Sequence, residues 1–551
     1  MELKIHTFFT PPPPESNHMI RVPFGFLALF ISLQVECRAQ SLSGNSPSDS
    51  HSAVVTVASN LNPAQPRAAD DDDAQAKNVV AEPSAEPAAE PASSAGAAPP
   101  GGFLKRLFQA YAEDWHPTMP SGPEPLFRGD PAVVTAPPWP FTVWPMGGTV
   151  NIGQPFEIST PLMTALYNGP HGDAWKNSKI DIYGWGNVGL NISSSHNGPY
   201  ANAPAAYDLI ANSIQPDQFT LYIERQPDTV QTDHFDWGFR LTNLWGLDYR
   251  FTTSKGIFSQ QLLTPQNNGT TGQKYGYDPV MAYIDLYFPH VFEGLDVRIG
   301  RYVSLPDIEA QLAPNNYTYT HSLLYAYDCY TQSGINSTFK ISNHWTLQIG
   351  LSAGCDTAIW TSDAKLTGNV CLAYFWHQSA DEIYVCANSI NDGRYAYNNL
   401  AAYYFTWYHK INSKWHTDTE TWYQYESQTP NVLNPAAASL LETNANGAYC
   451  NHANELTCFA PDWAILNYVN RELGKKNFIS IRNEFFDDLK GQRTGYKTSY
   501  TEQTISWNHW VGTTVLFRPE VRYEHAFDAP AYNSGTKKTQ IMFAGDIIWF
   551  F

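Results

Sequence analysis

The sequence predicts an all-β protein: a transmembrane antiparallel β-barrel of about sixteen strands, preceded by a disordered tether and a short helix. Three observations carry that expectation. The last strand has a period of two, long and short connections alternate along the chain, and charges inside the candidate strands keep to one face.

In 539–551, Ile541, Phe543, Ile547, Trp549 and Phe551 share one parity, while Gln540, Ala544 and Asp546 share the other and Gly545 keeps the register. A strand shows its side chains alternately to two faces, and about ten tilted residues cross a bilayer. One face is therefore expected in lipid and the other, with Asp546, in a wet lumen. Met542, Ile548 and Phe550 blur the alternation. A buried strand of a soluble sandwich is the competing reading of this segment alone.

Candidate strands run at 179–192, 217–226, 235–252, 279–288, 294–302, 329–341, 345–355, 367–377, 382–391, 398–411, 415–427, 462–471, 476–486, 498–509, 512–525 and 538–551. Long connections follow the odd strands, at 193–216, 253–278, 303–328, 356–366, 428–461, 487–497 and 526–537. Short ones follow the even strands, at 289–293, 342–344, 378–381, 412–414, 472–475 and 510–511. The segment 392–397 is short for an outer loop and 227–234 long for an inner turn. A membrane barrel with both ends in the periplasm produces this order, and a soluble sandwich has no reason to. Within 235–251, Phe235, Trp237, Phe239, Leu241, Trp245, Leu247, Tyr249 and Phe251 oppose Asp236, Arg240, Asp248 and Arg250. In 515–524, Val515, Phe517, Val521 and Tyr523 oppose Arg518, Glu520, Arg522 and Glu524, with a bulge expected at Pro519. Arg482, Glu484, Asp296 and Arg298 extend the inward set by parity.

Composition agrees. Mean hydropathy is negative although aromatics reach 14% of the 551 residues, as expected where half of each strand is polar and Trp and Tyr anchor at two interfaces. The alternative is a large soluble all-β protein that binds sugars. A net charge of -19 argues against nucleic acid as a partner.

Before the barrel, residues 1–39 read as a cleaved secretory signal: Arg21, an apolar run over 22–33, and Ala39 after Cys37 and Arg38. Met19 is a candidate true start, because Pro11 to Pro14 do not suit a signal. Cys37 lacks the small residues of a lipid-anchored signal. Residues 40–102, rich in Ala, Pro and Glu and holding Asp70 to Asp73, read as a solvated linker. Residues 103–116 read as an amphipathic helix with Phe103, Leu104, Leu107, Phe108, Tyr111 and Trp115 near one face, either capping the barrel or docking a partner, or packed on its own domain. Residues 117–178 are a periplasmic or plug segment. No segment is apolar over the length a transmembrane helix needs.

The third outer loop, VSLPDIEAQLAPNNYTYTHSLLYAYD over 303–328, carries Leu305, Ile308, Leu312, Leu323 and Leu324, which an exposed loop would not need. Folded into the lumen, it would bring Asp307 and Glu309 to wall residues such as Arg298, Arg301, Arg240 and Arg518, with Glu520 and Arg522 on the same wall, and set a transverse field at a narrow point. An outward lid, or packing between barrels, is the alternative. Arg301 falls on the apolar parity, so facing inward requires a bulge or strand end.

The strings YGWGNVGLN from Tyr183, DTVQTDHFDWGFRLTNLWGLDYRFT from Asp228, GRYVSLPDIEAQLAPNNYTYTHSLLY from Gly300, RNEFFDDLKGQRTGYKT from Arg482 and RPEVRYEHAFDAPAYNSGTKK from Arg518 resemble the OmpL-like β-barrel porin-2 family from about Pro117 to Phe551. The resemblance implies an outer-membrane porin and assigns no pore residues. The terminal Phe551 is similar to the C-terminal signature of bacterial outer-membrane barrels, which implies outer-membrane lipid and the barrel assembly machinery as partners. The expected function is passive diffusion of small hydrophilic solutes, with a substrate-specific sugar channel, or a structural or adhesive surface barrel plugged by its N-terminal region, as alternatives. Barrels of this size commonly form homotrimers.

Six cysteines follow the signal, in a compartment that permits disulfides. Cys450 and Cys458 are the expected bridge, Cys355 and Cys371 a second candidate pair, and Cys329 and Cys386 have no assignment. A metal site at Cys450, His452 and Cys458 is disfavoured, so no metal or other cofactor is expected. No catalytic residues are expected. Asp233 and His234 fall in an inner turn, where neighbours on extended chain point apart, and His196 beside Ser193 to Ser195 reads as solvated loop.

Overall fold

The computed structural model describes residues 101–117, 128–129, 152–154, 160–264, 272–442, 445–474 and 476–551. The signal segment 1–39, the alternative start Met19, nearly all of the linker 40–102 and much of 117–159 lie outside the described residues.

Sixteen strands form one closed barrel: β1 Asp181–Ser193, β2 Ile214–Arg225, β3 Asp236–Gly246, β4 Gly276–Phe288, β5 Leu295–Val303, β6 Thr331–Lys340, β7 Trp345–Cys355, β8 Thr367–Trp376, β9 Asp381–Ile390, β10 Ala401–Lys410, β11 Trp415–Pro430, β12 Thr457–Gly474, β13 Asn477–Asp488, β14 Thr498–Val511, β15 Val515–Ala526 and β16 Thr539–Phe550. Each is antiparallel to the next. β16 returns to β1, with Trp185 opposite Phe550 and Ser193 opposite Met542, so no edge is left to satisfy.

Three local expectations differ. The third strand ends at Gly246 rather than at 252, and Tyr249–Thr252 forms a helical turn, which takes Asp248 and Arg250 off the wall. β11 and β12 outrun their expected ends and pair up to Pro430 and Thr457, so the sixth loop stands on a two-stranded extension. Pro519 does not bulge β15: Ser506 faces Glu520 and His509 faces Phe517. Proline removes one ladder donor, and the register carries on past it.

The outer face sorts by height. Val188, Leu241, Ile284, Ile335, Ile349, Ile465, Ile505 and Ile547 form an exposed aliphatic belt. Below it, toward the short turns, lie Phe235 and Phe288, Trp345 with Tyr374 and Trp376, Trp407 with His409, and Trp507 with His509. Above it lie Trp245 with Tyr277, Tyr423 with Tyr425 and Phe459, and Trp463 with Phe485. An apolar band between two aromatic girdles is what a bilayer selects. Met542, Ile548 and Phe550 are buried inside the barrel, the last two in a cluster with Trp185, Tyr222 and Leu516. The lumen therefore carries apolar groups of its own, and these account for the blurred alternation of the last strand.

At the short-turn end, α1 (Phe103–Trp115) docks on the barrel. Tyr111 donates to the Phe550 carbonyl at 2.8 Å, Trp115 donates to Thr514 at 2.9 Å, and the Asp114 carboxylate accepts from Thr513 N–H and from the Thr513 and Thr514 hydroxyls. Arg106 donates to the Ala165 carbonyl of α2 (Pro161–Tyr167), and α3 (Gly172–Ser178) leads to β1. Arg128 donates to the carbonyls of Glu293 and Thr229, beside the first two short turns.

Candidate functional site: the inward third loop

The chain between β5 and β6, 304–330, enters the barrel. Its apolar residues have two destinations. Leu305, Ile308, Leu323 and Leu324 pack with Tyr384, Tyr404, Tyr408, Trp422, Phe486 and Tyr500 of the wall, and Leu312 with Ala313 packs with Trp185, Tyr222, Leu516 and Phe550 on the other side. The loop thus spans the lumen.

A segment with Pro306 and Pro314 and little regular structure must satisfy its backbone elsewhere, and wall carboxylates do much of this. Glu420 accepts from Ile308 N–H at 2.8 Å, Glu520 from Tyr319 N–H at 2.8 Å and Thr320 N–H at 3.2 Å, and Glu484 from the N–H groups of Leu323 and Leu324, the first turn of the Leu323–Ala326 helix. Anions suit that helix end. Wall donors take the carbonyls: Arg518 donates to Ala313 and Asn316, each at 2.7 Å, Arg522 to His321 at 2.6 Å, Asn508 to Tyr317 and Trp422 to Leu324. On the opposite wall Gln218 donates to the Gln311 carbonyl at 2.8 Å and accepts from Ala313 N–H.

Among the described residues, none of the expected ion pairs of Asp307 or Glu309 with Arg240, Arg298, Arg301 or Arg518 forms. Glu309 pairs with Arg482 at 3.0 Å, a residue noticed by parity alone, while Arg482 is also held by Glu502 at 2.9 Å. Arg240 pairs instead with Glu224, Arg298 with Asp285 and Arg518 with Asp546. Arg522 pairs with Glu524. Arg301 does turn inward, because Gly300 adopts a φ of +143° where a Cβ would lie 2.2 Å from the Ala282 carbonyl oxygen. There Arg301 ties Asp278 at 2.7 Å and the Pro279 carbonyl rather than the loop acids. The reason is register: a carboxylate sits opposite each of Arg240 and Arg298 on the neighbouring strand, and a cross-strand partner is closer than any loop residue. The wall anchors Glu420 and Glu484 were the residues missed as loop contacts, and inward acids at a period of two were their only signal.

The loop acids differ from one another. Burial would raise Glu309, yet Arg482 and His321 hold it below the usual carboxylate value. Burial pushes Asp307 up to about 7, with Glu309 adding to the rise. Burial, then the Asp307 charge, raises Asp328. His321 is lowered to about 4 by burial and stacks on Tyr207.

Cysteines fix the loop base. Cys329 is bonded to Cys355 and Cys371 to Cys386, so the expected Cys355–Cys371 pair is corrected; Cys371 and Cys386 face each other across β8 and β9. Cys450 is bonded to Cys458, and neither is a free thiol for a metal. Asp233 and His234, expected to point apart, touch at 2.9 Å in an exposed turn.

A family model described as "Putative beta-barrel porin-2, OmpL-like" matches residues 179–551. Among solved structures, the anion-selective porin from Comamonas acidovorans is similar at 8% identity and a TM-score of 0.42, covering 68% of this chain and 99% of that one. The outer membrane channel DcaP of Acinetobacter baumannii follows at 9% and 0.40, covering 68% and 97%, and the trimer form of OmpT of Vibrio cholerae at 7% and 0.40, covering 68% and 99%. No curated protein matches.

Proposed function

The chain belongs to the OmpL-like β-barrel porin-2 family and is a bacterial outer-membrane porin, and from that premise we propose that small hydrophilic solutes cross it by passive diffusion past a constriction built by the third loop. One observation carries the reading: loop 304–330 is bound to both sides of the inner wall through its own backbone. A loop held this way narrows a barrel at a fixed height, and charged side chains around the remaining space select by sign. In the proposed eyelet Asp307 and Glu309 stand on the loop. Arg518, Glu520 and Arg522 stand on one wall, and Arg240 and Arg298 on the other, with Arg301 at a strand end.

Glu382, Asp418, Glu420 and Asp462 line β9, β11 and β12 and form no ion pair with arginine or lysine among the described residues. The acidic excess gives the proposed pore a cation preference. Reversal potentials across a potassium chloride gradient in planar bilayers test this: a cationic reversal is expected, an anionic one removes the field assignment, and an absence of conductance removes the diffusion role.

A second reading, a sugar-specific channel, is favoured by the inward row in which Tyr183 stacks on Tyr222 at 4.8 Å and Arg240 and Arg298 lie over Tyr222 and Tyr283. Liposome swelling with sugars of equal size separates the two, since simple diffusion does not rank them. We further place the short-turn end and α1 in the periplasm, with Phe551 as the handle for barrel assembly.

A further inference from the structure

We propose that Asp307, Asp328 and Glu420 bind one calcium ion that ties both ends of the third loop to β11. One carboxylate oxygen from each residue lies within 4.8 Å of the other two. Asp328 is 1% exposed and Glu420 fully buried. Both oxygens of Asp328, one of Asp307 and one of Glu420 have no hydrogen-bond donor from outside the cluster, while Asp307 and Asp328 face each other closely enough to interact directly. None of the three is ion-paired with arginine or lysine among the described residues, whereas their neighbour Glu309 has Arg482. The hydroxyl of Tyr404, also buried, has Asn388 beside it and lies within electrostatic range of all three carboxylates.

Two buried carboxylates and a half-buried one, with oxygens turned toward one another, repel when charged. Such charges are relieved by a shared proton, by pairing with a cation or by coordinating a metal, and the calcium titration below distinguishes the metal from the proton. The donor set names the ion. Every donor is oxygen, which suits hard cations and not those that prefer imidazole or thiolate. Calcium accepts six to eight oxygens in flexible geometry, so a loop acid from each end and a wall acid can serve together with waters, whereas magnesium demands a near-ideal octahedron. The second oxygen of Glu420 is held by Ile308 N–H at 2.8 Å, which orients the ligand as a supporting hydrogen bond does in known metal sites. Asp307 stands near the loop's entry and Asp328 at its exit, beside the Cys329–Cys355 bond. An ion there closes the base of the loop, and its removal frees the loop from β11. The site shares Asp307 and Glu420 with the acids of the proposed eyelet and so rests on that placement of the loop, whereas the titration below does not read conductance.

Calorimetric titration of calcium chloride into the full-length, chelator-stripped protein in detergent tests the proposal without reading conductance. One calcium per chain is expected, with sensitised terbium emission reporting the same site through Tyr404. The pair D328N and E420Q is expected to weaken binding at least tenfold, while D392N, in the exposed fifth loop, leaves it unchanged. Folding of each variant is checked by its heat-modifiable migration on gels. Absence of calcium uptake by the unaltered protein at millimolar concentration overturns the proposal, as does a folded double variant that binds like the original. Should the double variant fail to fold, the titration of the unaltered protein decides alone.

Discussion

At Gly189 the third loop comes close against β1. A Cβ there would lie 2.0 Å from the Tyr319 hydroxyl oxygen and 2.2 Å from the Asp217 carboxylate, so the side chain is absent because the loop needs the space. We expect Gly189→Ala to unseat Tyr319 from Asp217 and to cost about 1–3 kcal/mol, the usual penalty for overpacking, read as a lower denaturation midpoint in detergent. Arg482 is the charge on which the loop turns: it joins Glu309 to Glu502 and donates to Thr318 Oγ1 at 2.8 Å. Arg482→Ala leaves Glu309 buried without its cation, though still accepting from Ser322 and Tyr468, at a cost of about 3–5 kcal/mol. Arg482→Lys should recover only part of this, since an ammonium cannot reproduce the planar fork. Equal stability of all three proteins would show that the pair does not hold the loop.

Among elements, α1 and the third loop make opposite demands. α1 is held by hydrogen bonds of Arg106, Tyr111, Asp114 and Trp115 while Leu104 and Phe108 stay exposed, so little apolar burial backs those bonds and losing Asp114, which makes several of them, should loosen it. Asp114→Ala is expected to expose the helix to protease while the barrel keeps its heat-modifiable migration. The exposed faces of the strands were legible in the sequence because lipid and water impose a strict period of two, and the sixteen elements followed from it. The third loop was legible as an inward segment from Leu305, Ile308, Leu312, Leu323 and Leu324, whose burial no exterior loop could provide. Its charge partners were not, because pairing inside a barrel depends on register. Arg298 meets Asp285 through an alignment of β4 with β5 that parity cannot supply. The cysteines failed for a related reason: Cys355 reaches Cys329 across the base of the loop, a closure made by tertiary contact and invisible as spacing.

For the whole molecule, closure of β16 on β1 gives a rigid frame, and we propose that the loop inside it sets what the frame transmits. Trimming residues 310–322 removes Tyr319, Thr320, Ala313 and Asn316 from their wall anchors without touching any strand. The most direct test is single-channel conductance of the full chain and of this trimmed chain in planar bilayers at the same salt. A small, steady, cation-preferring conductance that rises several-fold on trimming is the predicted result. Equal conductance of the two would contradict the account, since the loop would then lie across the lumen without limiting the flow.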